Sequence, residues 1–399
     1  MQKPAGRIDL QPLKPASIWP NASQLLLLKA ALWTGDEART AWAEWQKVTE
    51  LKAIDFSSWN LLPLVWRNLS NQGVKEDALL AECRGYYRYH WARNQVTINR
   101  TAAWVADWQA RGIPVIVLKG IPLLLECYRD AGLRPMSDVD LLVPVSKVQE
   151  VGAGLRADGW TKDFHKEEWE NVTLEAQQSF NWQKDGAKLD LHWHVDERCN
   201  DSGVTEWQWS LAQPLAVKNV MAQQLCPEHL LVHVCSHGMV WNPGQAPFRW
   251  LADADYILRR YGPTLNWARV LEAADRTGVR LVLRHGLAYA AKELRLPVPE
   301  AVLAELKDHS YGWRERYAYH CTTHPSQGGR LGRGLKVARL MWRMAGKGTL
   351  HMRMERVNRA MCARWGARSL SEAVGLILRK AVTGDRENWL ERDGGKRRG

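Results

Sequence analysis

The sequence predicts an α+β fold, a compact α/β unit of about a hundred residues set between helical regions. Three observations predict it. Apolar residues recur at helical spacing from Ala22 to about Trp104, and short β-branched runs bounded by turn residues begin at Ile113. After about Gln213 the helical period returns and persists to the end.

The 399-residue chain is 46% hydrophobic and 25% charged, the balance of an ordinary globular protein. Its apolar runs, such as Leu25 to Leu28, fall far short of the roughly 20 residues that cross a bilayer. The opening residues MQKPAGRIDLQPLKP lack the apolar stretch of a secretion signal, so the expected location is cytoplasmic. The 7 cysteines are scattered, odd in number and without a CxxC pair, which argues for free thiols over disulfides or a zinc ribbon. The net charge of +12 is localised: residues 328–399 alone hold 18 Lys plus Arg against 6 Asp plus Glu. With 22 Trp and only 4 Phe, the cores are expected to be packed with large flat rings.

Residues 1–20, with Pro4, Pro12, Pro15 and Pro20, read as an extended arm. LLLLKAALW, ARTAWAEWQKV and the long run from Ala78 to Gln109 read as helices, giving an N-terminal helical region over 21–104. A core spans 105–213. It opens with a strand at Ile113 to Leu118, a helix from Gly120 to Asp130 and a loop marked by Gly132 and Pro135. A strand from Asp138 to Val143 and a helix from Ser146 to Ala157 follow. Trp160 to Phe164, Gln178 to Gln183 and Lys188 to Val195 are then successive strands, the last two joined by a hairpin at Asp185-Gly186. Residues 214–327 read as a helical domain, broken by Asn242-Pro243-Gly244 and by Pro297 and Pro299. Beyond a Gly-rich hinge at Pro325 to Gly334, residues 328–399 form a basic helical segment with a disordered tail.

The chemistry centres on Asp138-Val139-Asp140. Side chains alternate along a strand, so both carboxylates project to one side, where they can share a hard divalent cation. Asp190 lies between Leu189 and Leu191 on a later strand, on the same face as His192 and His194. A lone acid among apolar neighbours is costly unless paired or metal-bound. If the two strands are adjacent, three carboxylates converge, as two-metal phosphoryl chemistry requires.

Lys119-Gly120, then Arg134-Pro-Met-Ser137-Asp138-Val-Asp140-Leu-Leu-Val143, then Leu189-Asp190-Leu-His192-Trp193, resembles the uncharacterised nucleotidyltransferase family of the polymerase-β-like superfamily. His233, His237-Gly238 and Arg249-Trp-Leu-Ala-Asp253 extend the likeness, which covers roughly residues 20–330. The resemblance implies a small mixed β-sheet core with helices on one face, flanked by N-terminal and C-terminal helical domains. It implies Asp138 and Asp140 as metal ligands, with Asp190 as the third acid and metal ligand, and Mg²⁺ or Mn²⁺ as the ion. The implied reaction moves NMP from an NTP, ATP foremost, to an acceptor hydroxyl on a small molecule, protein or RNA, releasing pyrophosphate. In the wider superfamily a Gly-Ser pair opens the helix before the acidic strand. Here Lys119-Gly120 stands in its place and Asp138 follows Gly120 by 18 positions. Gly120 at a helix start still lets a phosphate approach, and Lys119, Arg134 and Ser137 are candidate nucleotide contacts. His192 and His237 are further candidates beside the acids or the pocket.

Other signals have plain alternatives. His229, His233 and His237 share one helix face and, with Cys226, have zinc-like spacing, or they simply pack. Asp253 and Asp255 stand at i and i+2 of a helix and do not face one another, so a cap or a pair with Arg249 is expected. The C-terminal Arg-rich helices suit RNA, an anionic membrane surface or an acidic partner, or else a solvated face. Two rival functions remain: a binding protein of the same fold without turnover, and a glycosyltransferase whose Asp-x-Asp holds a nucleotide sugar's metal. Lys119-Gly120 and Asp190 argue against the second.

Overall fold

The computed structural model describes residues 18–49, 54–75, 77–162, 174, 177–196, 202–240, 248–313, 315–316, 319–320, 354–355, 357–358, 362, 367 and 369–383. The segment 328–353, most of the basic tail, the Asn242-Pro243-Gly244 break and the hinge at 325–334 lie outside the described residues.

The chain is α+β, as its period changes indicate. The N-terminal helices are α1 (Ala22–Leu32), α2 (Gly35–Val48), α3 (Phe56–Trp59), α4 (Leu62–Asn71) and the long α5 (Ala78–Ala110). Asn21 and Gln24 cap α1 reciprocally, and Asp77 caps α5 through the Leu80 N–H. β1 (Ile116–Leu118) leads into α6 (Gly120–Pro122), which continues as a π-helical turn at Leu123–Tyr128. β2 (Val139–Leu142), α7 (Val148–Ala157), β3 (Thr161–Lys162), β4 (Ser179–Lys184) and β5 (Ala187–His192) follow, then α8 (Ser202–Ser210). Asp185 (φ 49°) and Gly186 (φ 73°) make the tight β4–β5 hairpin anticipated from their pairing in the sequence.

The sheet does not end there. Residues expected to resume helical structure after Gln213 instead form a hairpin, β6 (Gln213–Val217) and β7 (Val220–Gln224). Burial alternates along both strands, with Leu215, Val217, Ala222 and Gln224 inward. The two-residue turn includes Lys218 at φ 57°, a residue type that gives no turn signal in sequence. The seven strands run β3-β4-β5-β2-β1-β7-β6, with β2·β5 and β1·β7 parallel and the other pairs antiparallel.

Helices cover both faces of this sheet, not one. Val117, Val139, Leu141, Leu189 and Leu191 enter a core with Ile98, Val105 and Trp108 of α5 and Val151 and Leu155 of α7. Ile116, Leu118 and Leu142 point the other way, into a core shared with α1–α4 and with α9 (Pro227–Val240), α10 (Arg249–Tyr261), α11 (Trp267–Arg276), α12 (Arg280–Leu294) and α13 (Glu300–Asp308). Central strands apolar on alternate residues in both directions require cover on both sides. Trp45, Trp182 and Trp193 are among the largest fully buried side chains. A further helix, α14, spans Leu370–Thr383. Among the described residues, no helix is long and apolar enough to cross a membrane.

One glycine sets how closely α9 and α10 pack. A Cβ on Gly238 of α9 would lie 2.3 Å from Trp250 Cβ of α10. Gly238→Ala is therefore expected to destabilise the protein by about 1–3 kcal/mol, despite alanine's better helix propensity, as read from the urea-unfolding midpoint.

Candidate active site

Asp140 and Asp190 are register partners on the parallel strands β2 and β5, so their side chains leave the sheet side by side. Because Val139 and Leu141 fill one core, Asp140 faces the opposite side, toward the C-terminal helices. His192 joins them. Its Nε2 lies 2.9 Å from Asp190 Oδ2 and 3.3 Å from Asp140 Oδ1, and its Nδ1 lies 3.1 Å from the His194 carbonyl oxygen. Acceptors at both ring nitrogens require a hydrogen on each, hence an imidazolium. Burial opposes that charge, but Asp190 and then Asp140 overcome it, and the His192 pKa rises to about 9.

Lys119 closes the cluster, its Nζ 2.5 Å from Asp140 Oδ1. Its backbone is strained at φ 49°, ψ −103°, a conformation that costs on the order of 1–3 kcal/mol and tends to mark functional sites. It immediately follows Leu118, the strand partner of Asp140, so the kink turns the side chain onto that acid. Burial disfavours the ammonium, but Asp140, Asp190 and Asp138 together hold its pKa above the ordinary value. Asp140 is held well below the carboxylate range: its burial is outweighed by Lys119 and His192.

Asp138 stands just ahead of β2 and accepts a hydrogen bond from Ser137 Oγ at 3.1 Å. The residue is exposed, yet protein crowds its carboxyl. That crowding, and then the charge of Asp140, push its pKa up. Among the described residues, one group of atoms within 4.8 Å could hold a metal: Asp140, Asp190 and His192, the histidine only after its Nε2 gives up its proton. Asp138 is outside that group. The donor set fits a divalent cation. Asp190 Oδ1 is buried with no hydrogen-bond partner, and carboxylate oxygens are the ligands that hard ions prefer.

Gly120 begins α6 beneath the loop that carries Arg134 and Ser137. A Cβ there would lie 2.6 Å from Met136 Sδ and 3.2 Å from Arg134 Nη1, so a larger residue would need the Met136 side chain to shift. Arg134 itself is buried and bound to Asp253. Its Nε and Nη2 donate to Asp253 Oδ1 (2.8 Å) and Oδ2 (3.0 Å). Tyr128 Oη donates to the same carboxylate at 2.8 Å, and Arg249 donates to the Pro135 carbonyl at 2.7 Å. Asn94 of α5 adds hydrogen bonds to the carbonyls of Ala131 and Arg134, so the loop before Asp138 is pinned from two helices.

The other histidines divide. The strand ends at His192, which breaks the alternation, and His194 Nδ1 instead meets Thr205 Oγ1 of α8 at 2.7 Å. His233 pairs with the buried Asp196, Nδ1 to Oδ2 at 3.5 Å, and His237 lies beside it with ring centroids 5.7 Å apart. His237 is held well below its ordinary pKa, by burial first and then by Lys119 and His233, which places it within electrostatic reach of the cluster. His229 packs on Trp207 at 4.3 Å. Among the described residues, these histidines and Cys226 form no metal-binding group. Asp255 pairs with Arg259 at 2.7 Å, and the tight partner of Asp253 is Arg134, with Arg249 at 4.0 Å. Sequence reasoning missed Asp196 and the Arg134–Asp253 pair, whose members lie 119 positions apart.

Paired acids on neighbouring strands of a mixed sheet suit a divalent cation, a feature nucleotidyltransferases use. The chain belongs to the uncharacterised nucleotidyltransferase family, whose model matches residues 44–295. No curated protein matches the chain.

Proposed function

We propose that the protein transfers NMP from an NTP, ATP foremost, to an acceptor hydroxyl with release of pyrophosphate. The observation that carries this reading is the side-by-side placement of Asp140 and Asp190, bridged by His192, with Asp190 Oδ1 left unpartnered. Asp138, Asp140 and Asp190 are the residues to hold Mg²⁺ or Mn²⁺. A divalent ion bound there supplies positive charge to the phosphates and to the attacking oxygen. The acceptor oxygen forms a bond to the α-phosphorus, the bond from that phosphorus to the bridging oxygen breaks, and pyrophosphate leaves with the electron pair. Asp190 takes the hydroxyl proton, and His192, clamped by the His194 carbonyl, keeps the Asp190 carboxylate in position. Lys119 balances Asp140 and shares its surroundings with the incoming phosphates.

Family membership and the cluster support this reading, and the acceptor remains a small molecule, a protein or an RNA. The basic C-terminal segment favours an anionic acceptor. A cytoplasmic setting accords with the five described cysteines, all free and buried.

The test is incubation with each α-labelled NTP, Mg²⁺ and a cell extract, followed by identification of the labelled product. Label is expected to appear with the native protein and to vanish with Asp138→Asn. Transfer undiminished in that variant would remove Asp138 from the site. Nucleotide binding with no labelled product from the native protein would point to a binding protein of this fold.

A further inference from the structure

Positive charge surrounds the acids, but most of it is already matched. Lys119 is taken by Asp140, His192 by Asp190 and Asp140, and Arg134 by both oxygens of Asp253. Arg249, the first residue of α10, differs. Its Nη1 donates to the neutral Pro135 carbonyl at 2.7 Å. The nearest carboxylate oxygen, Asp253 Oδ2, is 4.0 Å from its Nε and already bonded to Arg134 at 3.0 Å. Two arginines thus share one carboxylate, and Arg249 is the loosely held one. Its side chain is 25% exposed, against 7% for Arg134, so it opens outward while Arg134 is sealed. It also grips the loop three residues ahead of Asp138.

We propose that Arg249 binds the triphosphate of the nucleotide, its Nη2 donating to phosphate oxygens while Nη1 remains on Pro135 and Nε stays turned toward Asp253. This assignment rests on the nucleotidyltransferase reading and extends it to a residue for which that reading supplies no role. A guanidinium fork presents paired donors matched to phosphate oxygens, and such charge-assisted bonds are the strong ones. The surroundings agree. Burial, and next the positive charge of Arg134, hold the Arg249 pKa below its ordinary value, with Asp253 offsetting this only in part. Lys119 and Arg134, the cations first expected to meet phosphate, are tightly bound to carboxylates, so the cation held most loosely is Arg249, 4.0 Å from Asp253.

The test compares binding of ATP·Mg²⁺, Mg²⁺-tripolyphosphate and AMP by calorimetry in the full chain. Arg249→Gln keeps a donor for Pro135 and removes the charge. It is expected to weaken ATP and tripolyphosphate roughly 10- to 100-fold, while AMP changes by no more than about 3-fold. The melting temperature and Mn²⁺ affinity should hold. Arg249→Lys repeats the comparison if glutamine is not tolerated, with a partial loss confined to the triphosphates. Unchanged ATP binding, or an equal loss for AMP in either variant, overturns the assignment and leaves Arg249 as a prop for the loop. If the native protein binds none of ATP, GTP, CTP and UTP, the functional reading itself fails and the proposal falls with it.

Discussion

Asp140→Asn is expected to lower NMP transfer by about 10³-fold or more, because it removes the best-buried anion of the site at nearly constant volume. Asp140 is 5% exposed, lies between Lys119 and His192, and pairs in register with Asp190. An amide in its place still offers an oxygen, but not the charge that a hard cation requires. Mg²⁺ or Mn²⁺ affinity should therefore fall with activity, and metal titration of the variant reads that directly. The folded state also loses the closest partner of the Lys119 ammonium, although Asp190 and Asp138 remain near enough to share it. Rates should accordingly be measured well below the variant's melting temperature. Activity within tenfold of the native protein, in folded material, would remove Asp140 from the ion's coordination and leave its pair with Lys119 as structure alone.

How much of this was legible in the residues follows from the range of each interaction. The hairpin at Asp185-Gly186 was readable because turn chemistry is local, and the strand of Asp138 to Val143 because β-periodicity is local. The placement of Asp140 beside Asp190 needed one long-range assumption, that two strands are neighbours, and the motif resemblance made that assumption for the chain. Where neither help existed, the reading failed. The hairpin of Gln213–Val217 and Val220–Gln224 has Pro214 and three Gln residues in its strands, so it carries little strand signal, and it joins the sheet through the pairing of β7 with β1. The partner of Arg134, a candidate nucleotide contact, is equally hidden in the sequence. That partner lies on α10, and nothing in the local pattern around Arg134 names Asp253. His194 was placed by an alternation that stops two residues too early for it.

The second large effect belongs to that same pair. Asp253→Ala is expected to destabilise the protein by about 3–5 kcal/mol, the usual consequence of stranding one partner of a buried ion pair. Arg134 is 6% exposed and Asp253 4%, so the orphaned guanidinium cannot recover its hydration without opening the packing of α10 on the π-helical turn. Tyr128 would lose its acceptor as well, while its stacking on Tyr256 at 4.0 Å holds it in the core. Urea unfolding measures the loss, and a cost below about 1 kcal/mol would show the pair to be dispensable. The dependence on pH supplies a second reading. Burial pushes the Asp253 carboxyl up, but Arg134 and then Arg249 outweigh it and hold its pKa below the ordinary value. A carboxyl depressed in the folded state contributes stability that is complete above its unfolded value, about 3.9, and is lost as pH falls through the folded one. The acid limb of the stability curve should therefore be shallower in Asp253→Asn than in the native protein, and an unchanged slope would mean that other carboxylates govern acid unfolding. Because Arg134, Arg249 and Tyr128 all meet at this one carboxylate, the loop that delivers Asp138 depends on a residue outside the cluster of Asp140, Asp190 and His192.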